Sequence, residues 1–248
     1  MINYDISETE YGKIFLYTRR GSNHVAAGLE NQDSLGVFTN KGKGIAFVAA
    51  DGVSSCSNSK QGSEFAVTVV SELLDAIVCK EINIENEDAI KKFIVQSWKS
   101  RISGNWNNYA TTLNFAIVIS NKVLLGKIGD GTIIAKLEGN NYLLRDEDSF
   151  YTTETYALGE AVLKASILLE VIKIDNLDNS GIILMTDGIA KEIEPGSEYD
   201  FLDYIRQLGK SNEKQVEIEL KAWAQVLDTK NGDDKSIVIG ILEDYTDE

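Results

Sequence analysis

Four apolar segments of this sequence each carry aspartate at one end. The acids and their neighbours are Asp51-Gly52, Asp130-Gly131, Asp187-Gly188 and Asp233-Asp234. The first three pairs follow an apolar run, whereas the last pair precedes one. A single Asp-Gly pair is a common turn signal after a strand. Four such ends predict a fold that gathers several carboxylates at the rim of a sheet.

Length and composition predict one compact domain that spans residues 1–248. Of the 248 residues, 43% are hydrophobic and 8% are aromatic, which is enough for a sizeable core. The formal net charge of −15 makes binding to nucleic acid or to an anionic membrane surface unfavourable. The sequence has no apolar stretch as long as a spanning helix and no signal-peptide pattern at its start. We therefore expect a cytoplasmic protein without nucleic acid or membrane partners.

Counting residue types excludes several catalytic sites. His24 is the only histidine, so a multi-histidine zinc site is impossible and a Ser-His-Asp triad would depend wholly on it. Neither Cys56 nor Cys79 is followed six positions later by arginine, the spacing that a cysteine-dependent phosphatase needs. The sequence GKS at 209–211 has Tyr204 where a P-loop needs its first glycine. Catalysis would therefore depend on carboxylates and oxygen-bound metal ions.

The periodicity of apolar residues predicts an α+β protein. Strand-like runs lie near 13–18, 34–38, 45–50, 112–120, 122–128, 132–137, 165–173, 181–186 and 236–242. Helical spacing is present over 59–78, around 89–98 and over 212–227, and the acidic run 191–203 is typical of a solvated helix start. Short neighbouring strands predict antiparallel hairpins, so we expect helices on the outer faces of packed antiparallel sheets.

The acids at the strand ends indicate a metal site with oxygen ligands. Carboxylates and backbone carbonyls, without histidine or cysteine, suit Mg²⁺ or Mn²⁺ far better than zinc. Two such ions that share one carboxylate would hold a water between them and lower its pKa, which generates a hydroxide near neutral pH. This chemistry fits transfer of a phosphoryl group to water. A structural calcium site is disfavoured because the spacing matches no D-x-[DN]-x-[DN]-G loop.

An ordered set of motifs carries a family resemblance. The motifs are ENQDSLGVF, FVAADGVSS, ATTLNFAIV, LLGKIGDG, ILMTDGI and DDKSIVIG, and they extend from about residue 21 to 242. Together they resemble the protein phosphatase 2C family of metal-dependent serine/threonine phosphatases. The spacing of His24 and Asp33, the sequence GDG and the sequence YTTETYAL at 151–158 are similar to a bacterial branch. The resemblance implies an α/β/β/α sandwich in which helices cover two packed antiparallel sheets.

The resemblance also implies a two-metal hydrolase whose ligands can be named. Asp51 matches the acid that bridges both ions, and the carbonyl of Gly52 matches a ligand of one of them. Asp187 and Asp233 match the acids that hold the other ion. Asp33 matches an acid that touches the site directly or through water.

Two further acids and one missing side chain complete this comparison. Asp130 matches an acid linked to a third, weaker metal, and we interpret Asp234 as structural because the family pattern places the ligand first. The family usually has a phosphate-binding arginine five residues before the early acid, but this chain has Gly28 there. His24 is our first candidate for the replacement, and two alternatives remain, Arg19 and Arg20.

Two classes of function fit these residues. The first is a Mn²⁺- or Mg²⁺-dependent phosphatase that removes phosphate from phosphoserine or phosphothreonine of a protein, opposite a cognate Ser/Thr kinase. The second is a catalytically silent version of the fold that binds a partner, which the missing arginine favours. Clustered carboxylates are costly without cations, so a degenerate copy would lose them early. Their presence favours the enzyme.

Overall fold

The computed structural model describes residues 2–145, 157–159 and 166–243. The strands are β1 (Ile2–Thr9), β2 (Gly12–Arg19), β3 (Asp33–Thr39), β4 (Ile45–Asp51), β5 (Leu113–Ile119), β6 (Lys122–Ile128), β7 (Thr132–Leu137), β8 (Asn140–Leu144), β9 (Leu168–Lys173), β10 (Ser180–Met185) and β11 (Lys235–Leu242). The α-helices are α1 (Ser22–Ala27), α2 (Ser59–Val78), α3 (Glu87–Ser100), α4 (Asp187–Ala190), α5 (Glu198–Ser211) and α6 (Glu213–Leu227), and a short 3₁₀ helix covers Trp106–Tyr109.

The strands form two antiparallel sheets. The five-stranded sheet has the order β3-β4-β5-β6-β9, and the six-stranded sheet has the order β1-β2-β11-β10-β7-β8. Hairpins join neighbours such as β5 and β6, where Ser120 adopts a left-handed φ of 50° between the two strands. Alternate side chains of a strand face opposite sides of its sheet, so each sheet can supply one face to the other sheet and one face to helices.

Three apolar layers fill the molecule. Side chains such as Phe47, Ile133 and Val238 pack between the two sheets. Helices α2 and α3 cover the outer face of the five-stranded sheet, where Trp98 is fully buried and donates its indole N–H to the carbonyl of Gly62 at 3.0 Å. Helices α5 and α6 cover the six-stranded sheet with apolar residues such as Leu202 and Leu220. The predicted α/β/β/α sandwich is confirmed.

Two strands that the sequence did not predict both lie at the edges of a sheet. Strands β1 and β8 form the two edges of the six-stranded sheet, and edge strands bury less side-chain surface than central ones. The acidic run 191–203 was interpreted as a solvated helix start, and helix α5 begins within it at Glu198, which is buried together with Leu202, Ile205 and Gly209. Most of the YTTETYAL motif, residues 151–156, lies outside the described residues. Among the helices described, none combines the length and apolarity that crossing a membrane requires.

Candidate metal centre

The register of the five-stranded sheet sets two of the acids side by side. Asp33 begins β3 and Asp51 ends β4, and these two residues are direct partners across the antiparallel pair. The backbone of Asp51 also forms two hydrogen bonds with Thr112. The Asp51 N–H donates to Thr112 Oγ1 at 3.0 Å, and the Asp51 carbonyl accepts from the Thr112 N–H at 2.8 Å. Strand pairing thus fixes this pair of carboxylates.

The six-stranded sheet supplies the other acids at the same end of the sandwich. Met185, the last residue of β10, pairs with Thr132 of β7 and with Ile237 of β11. The acids that immediately follow β10 or precede its two neighbouring strands therefore meet: Asp187, Asp130 and Asp233. The Gly129-Asp130-Gly131 segment also carries the chain from β6 in one sheet to β7 in the other. The four apolar runs bring their acids together for this reason.

These acids line a cleft of about 150 Å³. Its lining consists of Asp51, Gly52, Val53, Ser54, Thr112, Asp130, Asp187 and Asp233. One carboxylate oxygen from each of Asp51, Asp130 and Asp187 lies within 4.8 Å of the others, so a single cation could contact all three. Every ionisable side chain in the lining is a carboxylate, which matches the ligand preference of Mg²⁺ and Mn²⁺.

Burial and mutual repulsion both make it costly for this group of acids to be ionised. Burial is the main cause that raises the pKa of Asp51 well above its usual value, and the neighbouring carboxylates of Asp33, Asp187 and Asp233 raise it further. The pKa of Asp233 is also raised, first by burial and then by Asp187. Asp187 Oδ1 is buried and has no hydrogen-bond partner among the described residues. Bound cations would offset each of these costs.

Asp33, the strand partner of Asp51, is absent from the cleft lining and is only 3% exposed. Its Oδ2 accepts a hydrogen bond from Thr186 Oγ1 at 2.9 Å, whereas its Oδ1 has no partner among the described residues. Burial raises the pKa of Asp33 to about 7, although the hydroxyl groups of Ser236 and Thr186 oppose the shift. Thr186 therefore fixes one oxygen and leaves the other available for a water or an ion.

The glycines that follow two of the acids are required by close approach of the backbone. A Cβ on Gly188 would lie 1.9 Å from the carbonyl oxygen of Asp234, and a Cβ on Gly131 would lie 2.6 Å from that of Met185. Both distances are shorter than any real contact of this kind. Glycine at these positions lets the acid-bearing turns pack against each other, so the Asp-Gly pairs shape the cleft as well as turning the chain.

Lys191 contacts the acid group from its solvent side. It follows α4 by one residue and lies one turn after Asp187. Its ammonium nitrogen is 2.5 Å from Asp187 Oδ2 and 3.5 Å from Asp130 Oδ2. Partial burial lowers the pKa of Lys191, but the bonds to Asp187 and Asp130 outweigh that effect and raise it overall. The lysine is therefore a positive charge at the edge of the cleft.

His24 and Asp234 form a buried pair beside the cleft and are absent from its lining. His24 is 6% exposed, and its Nδ1 lies 2.8 Å from Asp234 Oδ2. Asp234 also accepts the backbone N–H groups of Gly21 and Gln32, at 2.7 and 2.6 Å. Because the carboxylate already accepts two N–H donors, Nδ1–H of His24 is the natural third donor. Asp234 thus holds three chain segments together.

Three residues bear on the absence of the family's phosphate-binding arginine: Gly28, which stands at its position, and the nearby Arg19 and Arg20. Gly28 is exposed and ends α1 with a left-handed φ of 70°, a conformation that disfavours arginine. Arg19 donates to Asp228 at 2.6 Å, and Arg20 donates to the carbonyl of Leu29 at 3.0 Å. None of the three lines the cleft.

A family model described as protein phosphatase 2C matches residues 20–225. This chain belongs to the protein phosphatase 2C family. The matched range includes Asp33, Asp51, Asp130 and Asp187, and Asp233 lies beyond its end. A curated relative is the serine/threonine phosphatase stp of Listeria innocua, which is 27% identical over 173 residues. That alignment covers 66% of this chain and 64% of the relative, so the chain matches less than two thirds of the relative's length.

Solved structures of protein phosphatase 2C relatives share the fold. The serine/threonine phosphatase Stp1 from Staphylococcus aureus has a TM-score of 0.66 at 14% identity, covering 93% of this chain and 94% of that one. The catalytic domain of the serine threonine protein phosphatase PstP, solved in complex with 2 manganese ions, has a TM-score of 0.57 at 14% identity, covering 91% of this chain and 96% of that one.

Three residues that contact the clustered acids were not singled out in the sequence analysis. Lys191 carried a usable signal, since its spacing of four residues from Asp187 places both on one face of a helical turn. Thr112 and Thr186 carried none, because a threonine beside a strand end is common. Their roles depend on which strand lies next to which.

Proposed function

We propose that this chain is a metal-dependent protein phosphatase that hydrolyses phosphoserine or phosphothreonine in a protein. The observation that carries the proposal is the convergence of acids from both sheets at one cleft, together with two buried oxygens, Asp33 Oδ1 and Asp187 Oδ1, that have no hydrogen-bond partner in the part of the chain that the structure describes. Buried polar groups are almost always hydrogen-bonded, so oxygens without partners indicate a missing occupant. Carboxylates are satisfied equally well by cations.

The donor set fits divalent ions with a preference for oxygen. We assign Asp51 as the acid shared by both ions, the carbonyl of Gly52 as a ligand of one, and Asp187 and Asp233 as ligands of the other. The shared role of Asp51 is supported by its neighbours, since one of its oxygens lies within 4.8 Å of oxygens of Asp130 and Asp187, and the charge of Asp233 also raises its pKa. Bound Mg²⁺ or Mn²⁺ would supply positive charge for the phosphate and a water acidic enough to act as nucleophile near neutral pH.

The chain's own groups hold these acids in place. Thr112 accepts a hydrogen bond from the backbone N–H of Asp51 and donates one to its carbonyl, and the Thr186 hydroxyl donates to Asp33 Oδ2. We assign Asp33 a direct or water-mediated contact with the site, for which its unpartnered Oδ1 is the available atom. We assign Asp130 to a third, weaker ion position at the edge of the cleft. Such supports matter because loss of a ligand's hydrogen-bond partner typically costs 10- to 100-fold in affinity or activity.

The phosphate-binding role of His24 stays a prediction. An anionic substrate that enters an acidic cleft needs a donor besides the ions, and His24 was the first candidate. Its bond to Asp234 supports a different role, in which the imidazole positions the Asp233-Asp234 turn. The Asp234 N–H donates to Asp233 Oδ1 at 2.9 Å, so the two assignments can be distinguished by their effects on metal binding.

The substrate class is proposed from the relatives. The curated relative is called a serine/threonine phosphatase, and the same term describes two of the structural relatives. We extend that substrate class to this chain and propose a cognate Ser/Thr kinase as the opposing enzyme. We also propose cytoplasmic placement, no nucleic acid or membrane partner, and a single catalytic domain over residues 1–248. The silent binding module remains the alternative, and it is supported by Gly28 alone.

A metal-dependent hydrolysis assay tests this proposal. The substrates are p-nitrophenyl phosphate and a phosphothreonine peptide, each measured with Mn²⁺, with Mg²⁺ and with excess chelator. We expect turnover with either ion and none with chelator. Full activity in excess chelator would exclude the metal mechanism. Mn²⁺ binding without turnover of either substrate would favour the silent module.

A further inference from the structure

The Lys191 ammonium occupies a position between two acids that come from different parts of the fold. Asp130 belongs to the segment that crosses between the sheets, and Asp187 follows the central strand β10. The nitrogen lies within 3.5 Å of an oxygen of each, and these two acids are among the three whose oxygens lie within 4.8 Å of one another. A lysine here contacts the same carboxylates that would bind a cation.

The lysine approaches from solvent, whereas one of its partners is buried. The Lys191 side chain is 61% exposed, and that of Asp187 is 9% exposed. An exposed lysine chain can swing away at little cost, because its ammonium is then hydrated and its rotamers are free. The carboxylates are held by the turns around them and stay in place. This asymmetry allows exchange of the ammonium for another cation without rearrangement of the acids.

The contact satisfies only part of the local need for positive charge. Asp187 uses Oδ2 for the lysine, and its buried Oδ1 has no hydrogen-bond partner among the described residues. A lysine carries a single charge and three donors, whereas a divalent ion carries two charges and accepts six or more oxygen ligands. The ammonium therefore serves as an incomplete substitute for a divalent ion.

We propose that the Lys191 ammonium is an internal cation at the Asp130 and Asp187 carboxylates, which a divalent ion must displace before it binds there. The inference rests on the proposed function, because it requires that divalent ions bind the cleft acids. The proposal gives the lysine two opposing effects, one on the stability of the metal-free protein and one on metal binding. In the metal-free protein it neutralises acids that repel each other, and in the presence of metal it competes for their oxygens. The metal position that involves Asp130 accordingly binds its ion more weakly than the other metal positions of this chain.

Three variants separate this role from a general effect of charge. Lys191→Met removes the ammonium and keeps the length of the side chain, and Lys191→Arg keeps the charge. Lys230→Met is the matched control. Lys230 is similarly exposed, at 56%, and its ion pair with Glu192, at 3.3 Å, lies outside the cleft lining. Both Met variants change the net charge by the same amount, so any non-specific attraction of cations changes equally.

The readouts are Mn²⁺ binding and thermal unfolding, neither of which depends on turnover. Free Mn²⁺ is counted by its electron paramagnetic resonance signal during a titration, and melting temperatures are measured in chelator and in saturating Mn²⁺. We expect Lys191→Met to bind its weakest Mn²⁺ about tenfold more tightly than Lys230→Met, because the competing ion pair is gone. In chelator we expect Lys191→Met to melt at a lower temperature than the control. Lys191→Arg should retain the weak affinity of the wild type.

The outcomes distinguish a failure of this inference from a failure of the proposed function. Equal Mn²⁺ affinities in the two Met variants, with metal bound by both, would overturn the inference and leave the metal centre intact. An unchanged melting temperature of Lys191→Met in chelator would also overturn it, because the ammonium would then neutralise nothing. If neither the wild type nor any variant binds Mn²⁺, the proposed function and the inference both fail.

Discussion

The carboxylates at this end of the sandwich form two groups with opposite surroundings. The first group, the cleft acids, consists of Asp51, Asp130, Asp187 and Asp233, which line the cleft beside one another, and two of them share the Lys191 ammonium at its edge. The second group, the paired acids, consists of Asp228 and Asp234. Asp234 accepts three N–H groups, and Asp228 contacts Arg19 at 2.6 Å and Lys235 at 3.0 Å. The two groups meet at Asp233 and Asp234, which are adjacent in the chain.

The difference teaches how to separate functional acids from structural ones without any bound ion. A buried carboxylate with enough donors stabilises the fold, and its removal leaves those donors unsatisfied. A buried carboxylate surrounded by other carboxylates destabilises the fold until a cation arrives. Neutralising an acid should therefore have opposite effects on stability in the two groups, and the following predictions test that contrast.

The largest expected effect is loss of activity from the cleft acids. Asp51→Asn and Asp187→Asn should each reduce kcat/KM by more than about 100-fold, since loss of an outer partner of a metal ligand already costs 10- to 100-fold. Mn²⁺-dependent hydrolysis of p-nitrophenyl phosphate measures the effect. Asp203→Asn is the matched control, because Asp203 lies on α5 and pairs with Lys136 and Arg206. Near-wild-type turnover by both cleft variants would show that the cleft is not the catalytic site.

The next effect concerns the free energy of unfolding in chelator. Asp234→Ala should lower it by about 3–5 kcal/mol, because removal of one partner of a buried pair leaves the other uncompensated. Asp51→Asn should raise it, because one of several repelling charges disappears. Urea unfolding in chelator gives both values. If both substitutions destabilise the protein equally, the two groups of acids do not differ in the way described.

The third prediction is that the free energy of unfolding falls as the pH rises in chelator and increases as the pH rises in saturating Mn²⁺. The pKa of Asp33 is about 7 in the folded protein against an ordinary value of 3.8, so between these values the folded state binds more protons than the unfolded state. The contribution of Asp33 to stability is then fully present below about pH 4 and is lost as the pH rises through about 7. Three pKa units correspond to about 4 kcal/mol, which sets the upper limit of the effect.

Asp33→Asn isolates this contribution from those of other groups. The variant should show a flatter decline of unfolding free energy between pH 5 and pH 8 in chelator than the wild type. Saturating Mn²⁺ should make the wild type more stable as the pH rises, because ions bind only the deprotonated acids. Identical pH profiles of the variant and the wild type in chelator would refute the high pKa of Asp33.

The sequence predicted the strands that carry the acids but not the contacts between those strands. Helix α2 has the predicted bounds 59–78, and the strand before Asp51 was predicted to within one residue, because central elements have strong apolar periodicity. Strands β1 and β8 were missed because edge strands bury less and carry more polar residues.

The site itself could be predicted only as far as the motifs extend. The motifs identified the carboxylates, but their surroundings depend on pairings between residues far apart in the chain. Thr186 and Asp33 are separated by 153 positions, and His24 and Asp234 by 210. Periodicity carries no information about such contacts. The sequence therefore suggested His24 for the phosphate, whereas its partner became visible only in the fold.

The smallest expected effect concerns His24, which contacts the paired acid Asp234 next to the point where the two groups meet. Its Nδ1 contacts Asp234, and the Asp234 N–H donates to Asp233 Oδ1, so hydrogen bonds lead from His24 through a paired acid to a cleft acid. His24→Ala should lower kcat/KM by about tenfold to a hundredfold, the range expected from loss of one charged hydrogen bond. The two possible roles differ in what else changes.

A histidine that binds phosphate would leave Mn²⁺ affinity unchanged when it is replaced, whereas a histidine that positions the Asp233-Asp234 turn would lower Mn²⁺ affinity and stability together. The bond to Asp234 favours the second result, with a loss of about 1.5–3 kcal/mol in unfolding free energy. His24→Asn provides the control, because its amide can still donate to Asp234 but carries no charge for a phosphate. We expect His24→Asn to recover Mn²⁺ affinity and most of the activity. If His24→Asn recovers Mn²⁺ affinity but not activity, the result would support phosphate binding by His24. If His24→Ala has wild-type kinetics, Arg19 and Arg20 would be the candidates for phosphate binding.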